Sequence, residues 1–392
     1  MTRRSYIQLL IITATSPLPP ISTITFLKKL GILNYIPSEL SEIKLRKLNF
    51  HNKFIEVIKY IKEAQLLGSK QILRNKLEHE LNELRIRSEV IAERTAMNLE
   101  IIFTLLFTAP LMISLILLFI PTLRPAIPYV FYTSLALSIT VTAIVTASLI
   151  PLEYSTFENP PYTTYIPLVL TPAIYLVTRD PLLAILTSSI ASLPQTVKYY
   201  RKSVDSFNEV VTLIEKLQVL PTASPIELGI EDVSKLLRYR APITKALALT
   251  LYLTLLFRST RSDASQLHQY ATLLRKFITD LRIRLTYTAI YAVIALGLMT
   301  VAASIVLKVH TTLAHYSLQG PIPTPLPVLQ PVDVNLVKEL TTTLLTASAV
   351  VFSIVVALFR ELNPMYFTLY LPTTAAVTWL CFTYGHYLVP IQ

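Results

Sequence analysis

Five predominantly apolar stretches stand out as runs of twenty residues or more without one charged side chain: Ile101–Ile120, Pro128–Ile150, Leu285–Leu307, Leu340–Phe359 and Met365–Tyr384. A helix needs about 20 mostly apolar residues to cross the hydrocarbon core of a bilayer. Inside that core only helices and closed barrels satisfy their own backbone hydrogen bonds. Only 15% of the residues are charged and 53% are hydrophobic, where a soluble domain carries roughly 25% charged residues. The sequence therefore predicts an all-α, polytopic membrane protein.

Tyr162–Pro194 is apolar apart from Arg179-Asp180 near its middle. Proline suits a first helical turn, so this stretch is expected to form two shorter helices turning at Arg179-Asp180-Pro181. A single long helix and a re-entrant hairpin remain open. With two helices here, the expectation is about seven transmembrane helices.

The charge is gathered in two blocks. Residues 1–98 hold 16 Lys and Arg against 9 Asp and Glu, and residues 198–284 hold 14 against 8. The remaining stretches hold 5 against 7, so the net charge of +11 belongs to the blocks. Lys/Arg-rich loops stay on the cytoplasmic side. Four spans lie between the blocks, so both fall on that side. Thr311–Val332, which has no Lys or Arg, and the C-terminus then fall outside. The order expected is 1–98, an N-terminal segment and first cytoplasmic helical bundle; 99–197, transmembrane helices 1–4; 198–284, a second cytoplasmic bundle; and 285–392, transmembrane helices 5–7. The short run Tyr6–Thr13 is read as an amphipathic or interfacial segment, with bilayer insertion the alternative.

Both blocks read as helical. In the first, Phe54–Ile61 places apolar residues at helical spacing, and Gln71–Asn98 follows as a charged helix carrying the i,i+4 pairs Glu83–Arg87 and Arg85–Glu89. In the second, prolines at 221, 225 and 242 separate helices expected near 204–219, 226–240, 242–257 and 263–284. The blocks also match one another. Phe54–Leu67 aligns without gaps to Phe207–Leu220, with six of fourteen positions identical, and Leu84-Arg-Ile-Arg87 recurs as Leu281-Arg-Ile-Arg284. Two matches in the same order point to a duplicated unit.

A cytoplasmic bundle, membrane helices, a related bundle and more membrane helices resemble the type II secretion system F domain family, the platform proteins of type II secretion, type IV pili and archaella. The helix starts at Phe54 and Phe207, the bundle 226–284 and the junction Leu281-Arg-Ile-Arg284 carry the resemblance. Extra spans between the bundles are more similar to the archaeal and tight-adherence branches. Gly68 fits the glycine this family often has in the first bundle turn, whereas the second block has Pro221-Thr222 there. The resemblance implies a dimeric or otherwise small oligomeric platform in the cell membrane, docked on a hexameric cytoplasmic assembly ATPase and handling pilin-like subunits, with no catalysis of its own. Lys44, Arg46, Lys47, Arg74, Arg238, Arg240, Arg258 and Arg261, near expected helix ends, are the candidate ATPase-docking residues.

Other chemistries find little in the sequence. The six glycines are scattered and form no phosphate-cradling loop. The one cysteine, Cys381, leaves no disulfide or cysteine-based metal cluster, and the histidines lack ligand spacing. No catalytic, metal or cofactor site is expected. The basic charge comes without a groove-reading or base-stacking motif, so no nucleic acid is expected. The rival function is a solute transporter or channel with cytoplasmic regulatory helices. For it, Arg179-Asp180 and the Thr and Ser residues of the spans are the candidate lining, although such hydroxyls more commonly join helices.

Overall fold

The structure, a computed structural model, describes residues 6–37, 40–47, 50–83, 86, 90, 97, 113, 125–148, 156–221, 223–258, 260–318 and 334–388. These residues are helical or irregular, with no strand among them. In chain order the helices are α1 (Tyr6–Thr15), α2 (Pro20–Lys29), α3 (Glu42–Lys47), α4 (Asn52–Leu66), α5 (71–83), α6 (Ile127–Ser148), α7 (Thr171–Thr178), α8 (Pro181–Val219), α9 (Pro242–Phe257), α10 (Arg261–Leu318), α11 (Val334–Glu361) and α12 (Phe367–Tyr384). The expected span Ile101–Ile120, apart from Ile113, lies outside the described residues. So do Leu84, Arg85, Arg87 and Glu89.

The chain divides into two units. The first comprises Met1–Val90, Pro151–Asn159 and Tyr199–Arg282, and the second Ile91–Ile150, Pro160–Lys198 and Ile283–Gln392. The first unit thus takes nearly all of both basic blocks and gives them one core. At its centre α1 packs against α9. Nine of the ten residues of α1 are buried, so the interfacial placement expected for this run is corrected. A helix apolar on every side belongs in a core, whereas an interfacial helix needs a polar face. Tyr6–Thr15 has no charged residue to supply one.

Around this pair lie α2, α4, α5 and the parts of α8 and α10 that belong to the unit. His51 caps α4, its Nδ1 accepting from the Lys53 amide at 3.3 Å. Gly68, at φ +64°, ends the α4–α5 turn in the left-handed region that favours glycine. The matched helices bury matched positions: Phe54 and Phe207, Val57 and Val210, Ile58 and Val211, Ile61 and Ile214, and Ala64 and Leu217. The helix expected over 226–240 is replaced by turns and a 3₁₀ segment, Val233–Arg238. Gly229 takes φ +81° there, and the Ile230 amide closes back on Pro225 O at 2.8 Å.

In the second unit the chain turns at the expected place. Arg179 is left-handed (φ 54°) and Asp180 caps α8, its Oδ1 accepting from the amides of Leu182 (2.9 Å) and Leu183 (3.2 Å). The arm before the turn is broken at Leu170 between Pro167 and Pro172, and α8 runs on through Pro194. The Thr171 and Ser188 hydroxyls join the arms at 2.8 Å. Hydroxyls link other helices too: Thr196 meets Thr368 at 2.8 Å, Thr374 donates to Ala349 O at 3.0 Å, and Ser304 donates to Phe382 O at 2.8 Å. α10 and α11 are each long and apolar enough to cross a membrane. The count rises to three if α1 and α2, which meet at 116°, are taken as one broken span. Buried α1 and the apolar, buried α9 instead form the core of the first unit.

Candidate functional site: the basic surface of the first unit

The eight candidate docking residues fall into three patches. Lys44, Arg46 and Lys47 are exposed on α3. There Arg46 Nη2 holds Glu42 Oε1 at 2.7 Å and Lys59 lies 3.8 Å from the same carboxylate. The hydrogen bond from Arg46, aided by the charge of Lys59, lowers the Glu42 pKa. Arg238, the last residue of the 3₁₀ segment, and Arg240, just beyond it, are exposed. The Arg240 amide donates to Glu158 Oε1 at 3.1 Å, and the neighbouring Tyr239 hydroxyl donates to Glu209 at 2.8 Å.

The third patch brings together residues far apart in the sequence. Arg258 and Arg261 flank the turn from α9 into α10, and Asp263 behind it pairs with Arg74 of α5 at 3.6 Å. Lys70, which the sequence reading did not single out, belongs here. Its Nζ donates to Ser16 O. Burial lowers its pKa to about 8, with Asp263 acting against that shift and Arg74 adding to it. The Ile21 amide reaches Gln65 Oε1 at 3.3 Å, and Phe26 meets Phe257 edge-on at 5.1 Å. The turns 16–21, 65–70 and 257–263 therefore form one end of the unit.

The first unit also exposes apolar residues. Leu66 and Leu67 are 87% and 65% exposed, and their aligned counterparts Val219 and Leu220 are 76% and 54% exposed. The pairs lie at the C-terminal ends of the two matched helices. Exposed apolar clusters rimmed by polar residues mark interaction surfaces. The alignment contained the signal, two apolar pairs kept just before each helix break, but helical periodicity alone does not separate a terminal apolar pair from a core one.

Comparison with protein-family models, with curated proteins and with solved structures returned no match.

Behind the basic surface, α5 and α4 are locked by charge. Glu80 is buried, and its Oε2 accepts from Lys53 Nζ at 3.1 Å while Lys76 lies 3.3 Å from its Oε1. Lys76 also holds Glu56 at 2.8 Å. Burial raises the Glu80 pKa, but Lys53 and Lys76 outweigh it and the net shift is downwards. Glu56 aligns with Glu209, so the same glutamate of the matched segment is held by Lys76 in one block and by Tyr239 in the other.

The second unit contains a cavity of about 860 Å³ between α7, the start of α8, α10, α11 and the end of α12. Arg179, Asp180, Lys308, Lys338, Glu339 and His386 line it together with Thr311, Thr342 and Thr343. The transporter reading had Arg179-Asp180 and the Thr and Ser of the spans, Thr341–Thr343 among them, as candidate lining; Arg179, Asp180, Thr342 and Thr343 do line this cavity. Lys308, Lys338 and His386 join them only through the fold.

Proposed function

We propose that this chain is the membrane platform of a type IV pilus-like, archaellum-like or type II secretion-like machine, coupling a cytoplasmic assembly ATPase to insertion of pilin-like subunits. One observation carries the reading. Two sequence-matched helices, one from each basic block, bury the same five positions in a single core. A duplicated cytoplasmic module interleaved with apolar helices is the organisation the platform resemblance implies. The basic end of the first unit supplies charge for steering an acidic partner face, and the exposed apolar pairs at the ends of the matched helices supply apolar surface for holding it.

The proposed topology has seven spans, both basic blocks in the cytoplasm and the C-terminus outside. Two features support it. Phe157, from the loop between the second and third proposed spans, stacks on Tyr200 at 5.2 Å, and Arg282 lies 4.6 Å over its ring. That loop thus packs with the basic blocks, as an even number of crossings requires. The cavity, in turn, is lined only by helix ends that the same topology places outside.

A gene deletion tests the function. Loss of surface filaments or of secretion, restored by the intact gene, supports the platform. Intact filaments with loss of uptake of a solute supports the second reading, a solute transporter or channel, which the charged cavity of the second unit favours.

A further inference from the structure

Arg179, Lys308 and Lys338 come from three separate elements of the second unit, and all three line the same cavity. Among the described residues none of them forms an ion pair, and neither does Glu339. That contrasts with the first unit, where Lys53, Lys76 and Arg74 each hold a carboxylate. The cavity's two acids do not balance its cations. Asp180 is committed to the α8 cap through the Leu182 and Leu183 amides. Asp180 keeps its charge there, so with Glu339 the lining sets two carboxylates against three cations. Lys338 sits in the first turns of α11, where the helix dipole also favours an anion. Arg179 is held at positive φ, a conformation disfavoured for a residue with a Cβ.

The walls are mixed. Tyr175, Leu307 and Phe382 supply an apolar side, and the neighbouring Leu176 and Val177 are largely exposed. A volume of about 860 Å³ lies in the range of small-molecule pockets and exceeds what one inorganic anion fills. An anionic head bound by Arg179, Lys308 and Lys338, with an adjoining less polar portion against Tyr175, Leu307 and Phe382, matches this lining. Arginine presents a planar fork suited to phosphate oxygens, and lysine a compact charge.

We propose that this cavity is a binding site for an organic phosphate, either the headgroup of an anionic phospholipid or a free phosphorylated solute. The site goes beyond the platform reading, and its occupancy does not depend on how the chain is oriented in a membrane.

The test uses the full chain in detergent. Native mass spectrometry measures retention of phosphatidylglycerol against phosphatidylcholine, and titration calorimetry measures binding of glycerol 3-phosphate. The doubly substituted chain Lys308→Gln, Lys338→Gln is compared with Glu339→Gln and with Lys276→Gln, an exposed residue of the first unit. Each must keep the parent's gel-filtration profile and melting temperature. The expected result is preferential retention of phosphatidylglycerol, binding of glycerol 3-phosphate, or both. The double variant weakens that binding tenfold or more, Glu339→Gln leaves it equal or tighter, and Lys276→Gln leaves it unchanged. Lipid retention without glycerol 3-phosphate binding assigns the site to a headgroup, and the reverse assigns it to a solute. Neither ligand binding to the parent, equal binding by the double variant, or loss of binding on Glu339→Gln overturns the proposal. Should the double variant fail to fold, Arg179→Gln serves in its place with the same expectations.

Discussion

Tyr6 and Glu80, 74 positions apart, meet inside the first unit, where the Tyr6 hydroxyl donates to Glu80 Oε2 at 3.3 Å. The contact ties the start of α1 to the helix that carries Lys76. It also adds a third donor to a carboxylate already held by two lysines. Glu80→Ala leaves Lys53 and Tyr6 short of a buried acceptor and is expected to cost roughly 2 kcal/mol. Lys76 keeps Glu56 and Lys53 keeps Glu83 at 3.8 Å, so the cost stays below that of an orphaned buried charge. Thermal unfolding of the purified full chain checks it.

The same carboxylate gives a pH dependence. The folded pKa of Glu80 is below its ordinary value, so its stabilisation is complete above about pH 4.3, the usual range for glutamate. It is lost as pH falls through the folded value. Glu80→Gln is expected to flatten the acid limb of stability against pH, and melting temperatures from pH 7 down to pH 3 read it out. An unchanged acid limb would remove Glu80 from the account of stability.

Phe54 and Phe207 occupy matching positions of matching helices and are both buried in one core. Each Phe→Ala substitution is expected to cost roughly 3–5 kcal/mol. Because the core is shared, either variant lowers a single cooperative transition that exposes cleavage sites in both blocks together. Limited proteolysis across a temperature series measures this. Two independent bundles would instead release their fragments separately.

In the second unit, α10 and the end of α12 pack at van der Waals distance. A Cβ on Gly385 would lie 3.1 Å from the Val301 Cα and 3.3 Å from the Ser304 Cβ, and one on Gly297 would lie 3.3 Å from Val377. The Gly385 clash is with backbone, which has nowhere to go. Gly385→Val is expected to destabilise by roughly 1–3 kcal/mol, as overpacking does, and to reduce the yield of monodisperse protein. The Gly297 contact is with a side chain that can turn aside, so Gly297→Ala is expected to cost less.

The basic end of the first unit gives a binding prediction. Single substitutions of Arg258 or Arg261 are expected to change partner affinity little, since exposed charges contribute about 0–1 kcal/mol each. The triple variant Arg74→Gln, Arg258→Gln, Arg261→Gln is expected to slow association several-fold at low salt and to make little difference at high salt. Surface plasmon resonance at two ionic strengths separates the outcomes. An equal effect at both salts would point to misfolding around the Arg74–Asp263 pair.

Much of this architecture could be read in the sequence. Four of the five charge-free runs fall on α6, α10, α11 and α12, and Arg179-Asp180-Pro181 marked the turn between the two arms, because proline at a first helical turn is a local signal. The matched segments at Phe54 and Phe207 marked helices whose burial patterns coincide. What escaped was non-local. Tyr6–Thr15 is apolar on every side, and composition alone does not say whether such a helix meets lipid or other helices; its burial against α9 decided that. The segment 226–240 has helical spacing, yet Gly229 and the closure onto Pro225 turn it aside. Lys308, Lys338 and Arg179 come from three separate elements, each next to the end of an expected span and reading there as an ordinary solvated terminus, and only the fold brings them round one cavity. The three-patch distribution of the candidate docking residues was hidden for the same reason: proximity to a helix end does not fix which end of the unit that helix end occupies.

The platform account stands most directly on binding to an assembly ATPase. The full chain reconstituted in lipid nanodiscs would be titrated with the purified hexameric secretion-type ATPase of the same organism, with and without nucleotide, and the complex followed by light scattering. The account predicts a defined complex whose affinity falls when Leu66, Leu67, Val219 and Leu220 are replaced by serine. No complex in any nucleotide state, together with uptake of a solute by the same chain in proteoliposomes, would contradict it.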